Sequence, residues 1–334
     1  MKKEVRISKD STHWVVAFYY IGAIVNPAQE AELQKQFLSH LDVSCRLYVA
    51  KDGLNGQMCF VASDAKKYMD WMLGREQFSS IHFKAQGVDC HVFPRCTIKV
   101  RRELVALGTE VDFSKRGTYL SPEDWKAKLE DDSQEKIIID TRNDYEWQLG
   151  HFENAELLPY ETFKDFREYA KGLKERIDSK NSQVLMYCTG GIRCELFSAL
   201  LKEEGIDDVY QLQGGVINYG QEAGSKHWKG SLFVFDDRLS VPISEEPVET
   251  IGTCLHCKEK IENYYNCANM DCNELFLCCH QCLEKHQGCC SSECQSAPRV
   301  RPFSFAHTPF RRWYNYAAKK DELSSLNPKY VGKS

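Results

Sequence analysis

The sequence predicts an α/β multidomain protein, and three observations carry that reading. Strand-like and helix-like runs over residues 14–93 follow the order βαββαβ, and from residue 119 short aliphatic strands alternate with helix-length segments. Ten of the sixteen cysteines crowd between residues 254 and 294. A chain of 334 residues has room for about two domains by size, and for a third small one if a staple replaces its missing core. Hydrophobic residues at 43% and charged residues at 27% exclude a mainly disordered or collagen-like chain.

The first strand is expected over residues 14–24. Its apolar stretch, 14–25, is too short to span a bilayer, and two tyrosines and the polar residues 8–13 set it apart from a signal segment, so no membrane partner is expected. Asn26, Pro27 and Gln29 then supply a cap, a first-turn proline and a box-closing amide for a helix to about His40. Residues 43–50 and 57–62 read as strands joined by a turn at 52–56, Ser63 or Asp64 as the cap of a second helix to Trp71, and 81–93 as the span holding a last strand. That order is ferredoxin-like, or acylphosphatase-like, over residues 1–110. RNA-recognition domains share it, but residues 51–61 lack the aromatic pattern their central strand needs. Arg95, Lys99, Arg101 and Arg102 close the block as a basic segment, read either as a solvated edge or as a phosphate-contacting strip.

Residues 118–225 form the second expected domain. Strands at 137–139, 184–187 and 209–212 alternate with helices, which implies a doubly wound parallel sheet with ligands at the carboxyl ends of its strands. The segment that carries chemistry is Cys188-Thr189-Gly190-Gly191-Ile192-Arg193-Cys194-Glu195. A strand ends at Tyr187, a helix-like run begins at Cys194, and Gly205 suits its C-terminal cap. Gly190 and Gly191 let the intervening loop curl its amides inward as an anion cradle at a helix N-terminus. Cys188, at the base of that cradle and near Arg193, is favoured as thiolate and marked as the catalytic candidate. Cys194 either resolves an oxidised Cys188 or packs at the start of the helix.

This loop resembles the active loop of rhodanese domains. The resemblance extends upstream to Asp140, Thr141, Arg142, Glu146, Trp147, Gly150, His151, Phe152, Ala155 and Pro159, and downstream to the run Tyr210-Gln211-Leu212-Gln213-Gly214-Gly215-Val216. It implies a persulfide on Cys188, its outer sulfur cradled by the amides of Thr189, Gly190, Gly191, Ile192 and Arg193. Related phosphatases have a loop one residue longer, and the shorter loop leaves a smaller cradle, suited to sulfur. The chain as a whole resembles the bacterial tRNA uridine 5-hydroxylase (TrhO) family. Residues 53–56 (GLNG), 93–103 (FPRCTIKVRRE), 188–195 (CTGGIRCE) and the distal cysteines occur in that family's order, although its basic strip is usually richer in lysine than Cys96-Thr97-Ile98. The resemblance implies dioxygen-dependent 5-hydroxylation of the wobble uridine 34 of tRNA, with molecular oxygen as co-substrate and tRNA as partner. No flavin or nicotinamide motif is present, and the pairs His40/Asp42 and His151/Glu153 read as chance rather than as an iron site.

Residues 240–253 read as a linker. Beyond it, residues 250–296 form a Cys-rich module in which Cys254/Cys257, Cys267/Cys272, Cys278-Cys279/Cys282 and Cys289-Cys290/Cys294 make knuckle-like pairs. So short a segment needs a staple, and structural zinc is expected on Cys254, Cys257, Cys267, Cys272, Cys279, Cys282, Cys290 and Cys294, with the pairing unreadable and His256, His280 and His286 as substitutes. Clustering of cysteines with no signal segment points to a reducing cytoplasm rather than to a secreted disulfide protein. Residues 297–334 form a basic aromatic tail, where Arg311 and Arg312 lie among Phe310, Trp313 and Tyr314, a mixture that suits splayed RNA bases or a packed strap.

Charge is segregated behind a net of −5. Lys and Arg outnumber Asp and Glu by 15 to 12 over residues 1–110 and by 8 to 2 over 295–334, whereas residues 111–253 carry 28 acidic against 17 basic side chains. A polyanion held by the flanks fits this pattern, and no DNA partner is expected. Two other functions compete with hydroxylation: a sulfurtransferase passing persulfide sulfur from Cys188 to a thiol or to tRNA, and a non-catalytic RNA-binding scaffold.

Overall fold

The computed structural model describes residues 11–105, 111–158, 163–177 and 182–303, so Pro159, Arg311, Arg312 and most of the aromatic tail lie outside the described residues. Two compact units divide the chain, Met1–Glu249 and Thr250–Ser334.

The first unit opens with β1 (His13–Ile21), α1 (Pro27–Leu38), β2 (Val43–Ala50), β3 (Gly53–Val61), α2 (Ala62–Leu73), β4 (Lys84–Val88) and β5 (Cys96–Val100), in a sheet of order β4-β1-β3-β2-β5. Antiparallel β1–β3, β1–β4 and β2–β3 pairs make the ferredoxin-like core, and β5 adds in parallel beside β2. Alternation sorts the faces: Trp14, Val16 and Phe18 of β1 are buried with Tyr68 and Met72 of α2, while Val15, Ala17 and Tyr19 point the other way. Ala17 lies opposite Lys84, so Lys84 shares the second face.

Two expectations need correcting here. Residues 53–56 belong to strand β3 rather than to a turn, paired with β1 on one side and β2 on the other, and Gly56 sits under the Phe18 ring, where a Cβ would come within 2.4 Å, so the glycine serves packing. Helix α2 starts without a side-chain cap; Asp64 instead accepts from the Asp42 amide at 2.9 Å and pairs with Lys67. The basic segment is an edge strand with its flanks, held by ladder bonds such as Arg101 N–H to Val49 O at 2.8 Å.

Elements β6 (Thr118–Leu120), α3 (Pro122–Glu130), β7 (Glu135–Asp140), α4 (Asp144–Trp147), β8 (Gly150–Phe152), β9 (Ala155–Leu157), α5 (Phe163–Arg176), β10 (Ser182–Tyr187), α6 (Ile192–Glu203), β11 (Val209–Leu212) and α7 (Gly215–Ala223) follow. The parallel order β6-β11-β10-β7-β9 includes two short edge strands, β6 and β9, that carry too few apolar residues to stand out in the sequence. Helices cover both faces. Ile139, Val184 and Met186 pack under α5 and α6, whereas Ile138, Leu185 and Tyr187 pack under Trp125 of α3 and Tyr219 of α7. Strand β12 (Trp228–Gly230) pairs with β8, and β13 (Leu232–Phe233) with β14 (Ser240–Val241). Residues expected to be linker are therefore partly core: Val241 and Ile243 are buried against α7, where Gly220 permits the backbone approach of Ile243.

The second unit has a small hairpin, β15 (Tyr264–Asn266) with β16 (Leu275–Leu277), and two short helices, α8 (His280–Lys285) and α9 (Ser292–Gln295). Most of its buried cluster is cysteine, with Phe276 and Leu283 among the few large apolar members. Among the described residues no helix is long and apolar enough to cross a membrane.

Candidate functional site

Cys188 follows the last residue of the central strand β10, and Gly191, at φ +101°, turns the chain into α6. The loop bends back on itself. The Gly191 amide donates to Cys188 Sγ at 3.0 Å, and Cys188 is buried to 1% exposure. The downstream glycine turn supports the loop from below, with Val216 N–H donating to Cys188 O at 3.0 Å and Ile217 N–H to Thr189 O at 3.2 Å. Gly215, at φ +69°, lies so close that a Cβ would stand 2.4 Å from Cys188 O.

Burial alone would push the Cys188 thiol up. The Cys194 thiol, the Arg193 guanidinium and the amides of Arg193 and Gly191 outweigh it and bring the pKa down to about 6. Cys194 is buried against Cys188, 3.7 Å from Thr141 Oγ1, and burial with the neighbouring Cys188 drives its own pKa well up, so the pair holds one thiolate and one thiol at neutral pH. Alkylation of Cys188 by a small haloacetamide, followed by peptide-resolved mass spectrometry, is expected to rise with pH to half its maximum near pH 6 and to level off above about 7. A midpoint near the ordinary thiol value of about 8.5 would contradict this.

Arg193 is not a free cradle cation. Its guanidinium makes a bidentate pair with buried Glu146 at 2.7 and 2.9 Å, and Glu146 also accepts from Thr189 Oγ1 at 2.8 Å and from the Asn143 amide at the start of α4. One carboxylate thus ties together α4, the loop and α6, and Arg193 acts on the sulfur through its field. Below lies a second buried pair, Arg142 on Asp140, completed by the Tyr187 hydroxyl donating to Asp140 at 2.7 Å. Thr141 donates to Tyr187 O at 2.9 Å. The Asp-Thr-Arg run is therefore scaffolding for the strand end that carries Cys188.

Sequence reading missed the residues that reach the loop from the first domain. Lys84 Nζ of β4 donates to Gly190 O at 2.6 Å, and the Tyr19 hydroxyl of β1 donates to Glu195 Oε1 at 2.8 Å. Glu195, 2% exposed in the first turn of α6, also accepts from Tyr119 and pairs with Arg116 at 3.2 Å. The one signal for Lys84 was a lone cation within the otherwise uncharged run 81–88. Beside the loop, Val15, Ala17, Gln57 and Lys84 from the first domain line a cleft with Thr189 and Gln221. Arg95, Lys99, Arg101 and Arg102 are all exposed on or beside β5, with Arg101 over the Tyr48 ring at 4.7 Å. The sheet order sets β5 four strand spacings, about 19 Å, from β4, so this strip is not part of the cysteine site.

In the second unit the eight cysteines named from sequence form two groups, Cys254/Cys257/Cys279/Cys282 and Cys267/Cys272/Cys290/Cys294, with all sulfurs of a group within 4.8 Å of one another. Pairing is interleaved: first knuckle with third, second with fourth. Cys257–Cys279, Cys272–Cys290 and Cys290–Cys294 sulfurs each stand 3.7 Å apart, close to the ~3.8 Å edge of a tetrahedron of thiolates about 2.3 Å from one ion. Cys278 and Cys289 are wholly buried outside both groups and fill the core.

Three family models match in succession: a UPF0176 acylphosphatase-like domain over residues 13–104, a rhodanese-like domain over 121–222 and a rhodanese C-terminal segment over 229–295. Over 321 residues the chain is 48% identical to the tRNA uridine(34) hydroxylase of Protochlamydia amoebophila, covering 96% of this chain and 99% of that one. Proteins of the same name from Chlamydia pneumoniae and Chlamydia felis are 50% and 49% identical over 91% and 94% of this chain, and over 94% and 98% of their own. The chain belongs to the tRNA uridine(34) hydroxylase family. In this member of the family, the rhodanese-like match spans the Cys188 loop and the matched N-terminal domain contributes Lys84 and Tyr19 to its surroundings.

Proposed function

We propose that this protein hydroxylates C5 of uridine 34 in tRNA, with Cys188 as the nucleophile and molecular oxygen as co-substrate. The observation that carries the reading is the low-pKa thiolate of Cys188, its sulfur met by the Gly191 amide beside an interdomain cleft, in a chain of the hydroxylase family. Addition of the thiolate, or of a persulfide built on it, to C6 moves the C5=C6 electron pair onto C5, where the C4 carbonyl spreads the charge. C5 then bonds to dioxygen, and protonation gives a hydroperoxide. Two equivalents of a thiol reductant convert that hydroperoxide to the alcohol, releasing water and a disulfide. Loss of the C5 proton and breakage of the S–C6 bond restore the ring and the thiolate. When a hydroperoxide oxidises Cys188 to a sulfenic acid, itself leaving as the alcohol, Cys194 condenses with the sulfenic acid, releasing water and leaving a disulfide that the same thiols reduce.

Exposed Arg95, Lys99, Arg101 and Arg102 fit tRNA phosphates at the sheet edge opposite β4, the strand that carries Lys84, an arrangement that lets the backbone be gripped while one base is turned in. Arg311 and Arg312 add stacking and charge to the same reading from the sequence alone, and a tRNA substrate places the protein in the cytoplasm. The two four-cysteine groups fit structural zinc, one ion each, closed by four protein ligands with no open position.

A rhodanese-type sulfurtransferase is the competing reading, favoured by the short loop. Purified protein, unmodified tRNA and isotopically labelled dioxygen, followed by nucleoside mass spectrometry, separate the two. Labelled 5-hydroxyuridine is expected. A thiolated nucleoside without label would make the protein a sulfurtransferase; the label is what separates the two, because exchanging oxygen for sulfur and adding oxygen give the same nominal mass change.

A further inference from the structure

We propose that Lys84 is a positioning residue of the Cys188 site, supplied across the domain boundary by strand β4 to fix the Gly190–Gly191 turn and to set a cation beside the sulfur. The inference rests on Cys188 being the reacting group, and it gives the N-terminal domain a part in the chemistry besides any part in holding RNA.

Four observations support it. Lys84 is 5% exposed, and a buried ammonium is retained only where it has partners. Its ammonium donates to the carbonyl of Gly190, the residue whose peptide links to the amide that donates to Cys188 Sγ. Holding that carbonyl outward orients the Gly190–Gly191 peptide so that its N–H faces the sulfur. Lys84 also stands over the Tyr19 ring at 5.0 Å, and Tyr19 is itself anchored on Glu195, so the cation is fixed from both sides of the boundary. Burial lowers the Lys84 pKa to about 8 against the opposing pull of Cys188 and Glu195, which leaves it charged at neutral pH and electrostatically coupled to the thiolate.

Charged and titratable groups face this pair from each packed element. Tyr19 comes from β1 and Lys84 from β4; Arg193, Cys194 and Glu195 come from α6, with Glu146 of α4 neutralising Arg193 and with Arg116 and Tyr119 on Glu195. Arg193 is committed to Glu146 and Arg116 to Glu195, whereas Lys84 spends its hydrogen bond on the loop itself. The register makes this placement robust: Lys84 lies opposite Ala17, two residues from Tyr19, on the sheet face turned away from α1 and α2.

The test compares Lys84→Met and Lys84→Arg by pH-dependent alkylation of Cys188 and by single-turnover hydroxylation of tRNA. Lys84→Met should raise the alkylation midpoint by about one pH unit and slow hydroxylation about tenfold at pH 7, with tRNA affinity unchanged; Lys84→Arg should bring the midpoint back toward the parent value. A folded Lys84→Met protein whose midpoint stays near 6 overturns the proposal. Should that variant fail to fold, Lys84→Gln, which keeps a polar group at the buried position, gives the same comparison. Alkylation needs neither tRNA nor dioxygen, so a shifted midpoint without hydroxyuridine would refute the hydroxylation reading alone, and an unshifted one the role of Lys84 alone.

Discussion

Cys188→Ala is expected to lose at least about a thousandfold in hydroxyuridine formation while binding tRNA as the parent does. Removing the sulfur removes the atom that adds to C6, and among the described residues no neighbour of Cys188 replaces it. Cys194 is protonated and buried behind Cys188, and Thr189 spends its hydroxyl on Glu146. Binding should be spared because Cys188 is 1% exposed and contributes almost no surface to a partner. Cys188→Ser sharpens the test. It preserves the shape of the loop, but its hydroxyl stays protonated at neutral pH where the thiol, at about 6, has ionised. Both variants should therefore be equally inactive. Hydroxyuridine from either one at the parental rate, read by nucleoside mass spectrometry, would remove Cys188 from the mechanism.

Stripping metal should have the largest effect on stability. Under reducing conditions a strong chelator is expected to release two zinc ions per chain and unfold residues 250–303, leaving Met1–Glu249 folded. The buried cluster of the second unit is composed largely of the cysteines themselves, so without ions it has too little apolar area to offset the ordering of its chain. Structural zinc contributes about 10–16 kcal/mol in small cysteine-rich domains, far above what Phe276 and Leu283 could replace. Interleaving makes the loss cooperative, since Cys267 and Cys272 lie in the chain between the two halves of the first group. Cys279→Ser should accordingly cost more than one ion's worth of metal. The measurement is metal release together with peptide-resolved hydrogen exchange, and a metal-free chain that keeps its protection over 250–303 would refute the assignment.

Local sequence determined a good deal of this protein. Asn26 caps α1 by accepting from the Gln29 amide at 3.1 Å, as its spacing before Pro27 implied, and the strand-loop-helix around Cys188 follows from an apolar run, two glycines and a helix former in series. The nucleophile candidate and the knuckle pairs were legible for the same reason, because their chemistry depends on neighbours a few residues away. What the tertiary structure decided is long-range. Whether residues 53–56 turn or extend depended on pairing with β1 and β2 on either side, and whether Arg193 faces the sulfur or a carboxylate depended on Glu146, 47 residues earlier in the chain. Which knuckles come together in one group was likewise a matter of topology. Lys84 and Tyr19 lie 106 and 176 residues from the loop groups they bind, and only the packing of one domain on the other brings them there. Periodicity reports which face of a strand is buried, but not what the opposite face will meet.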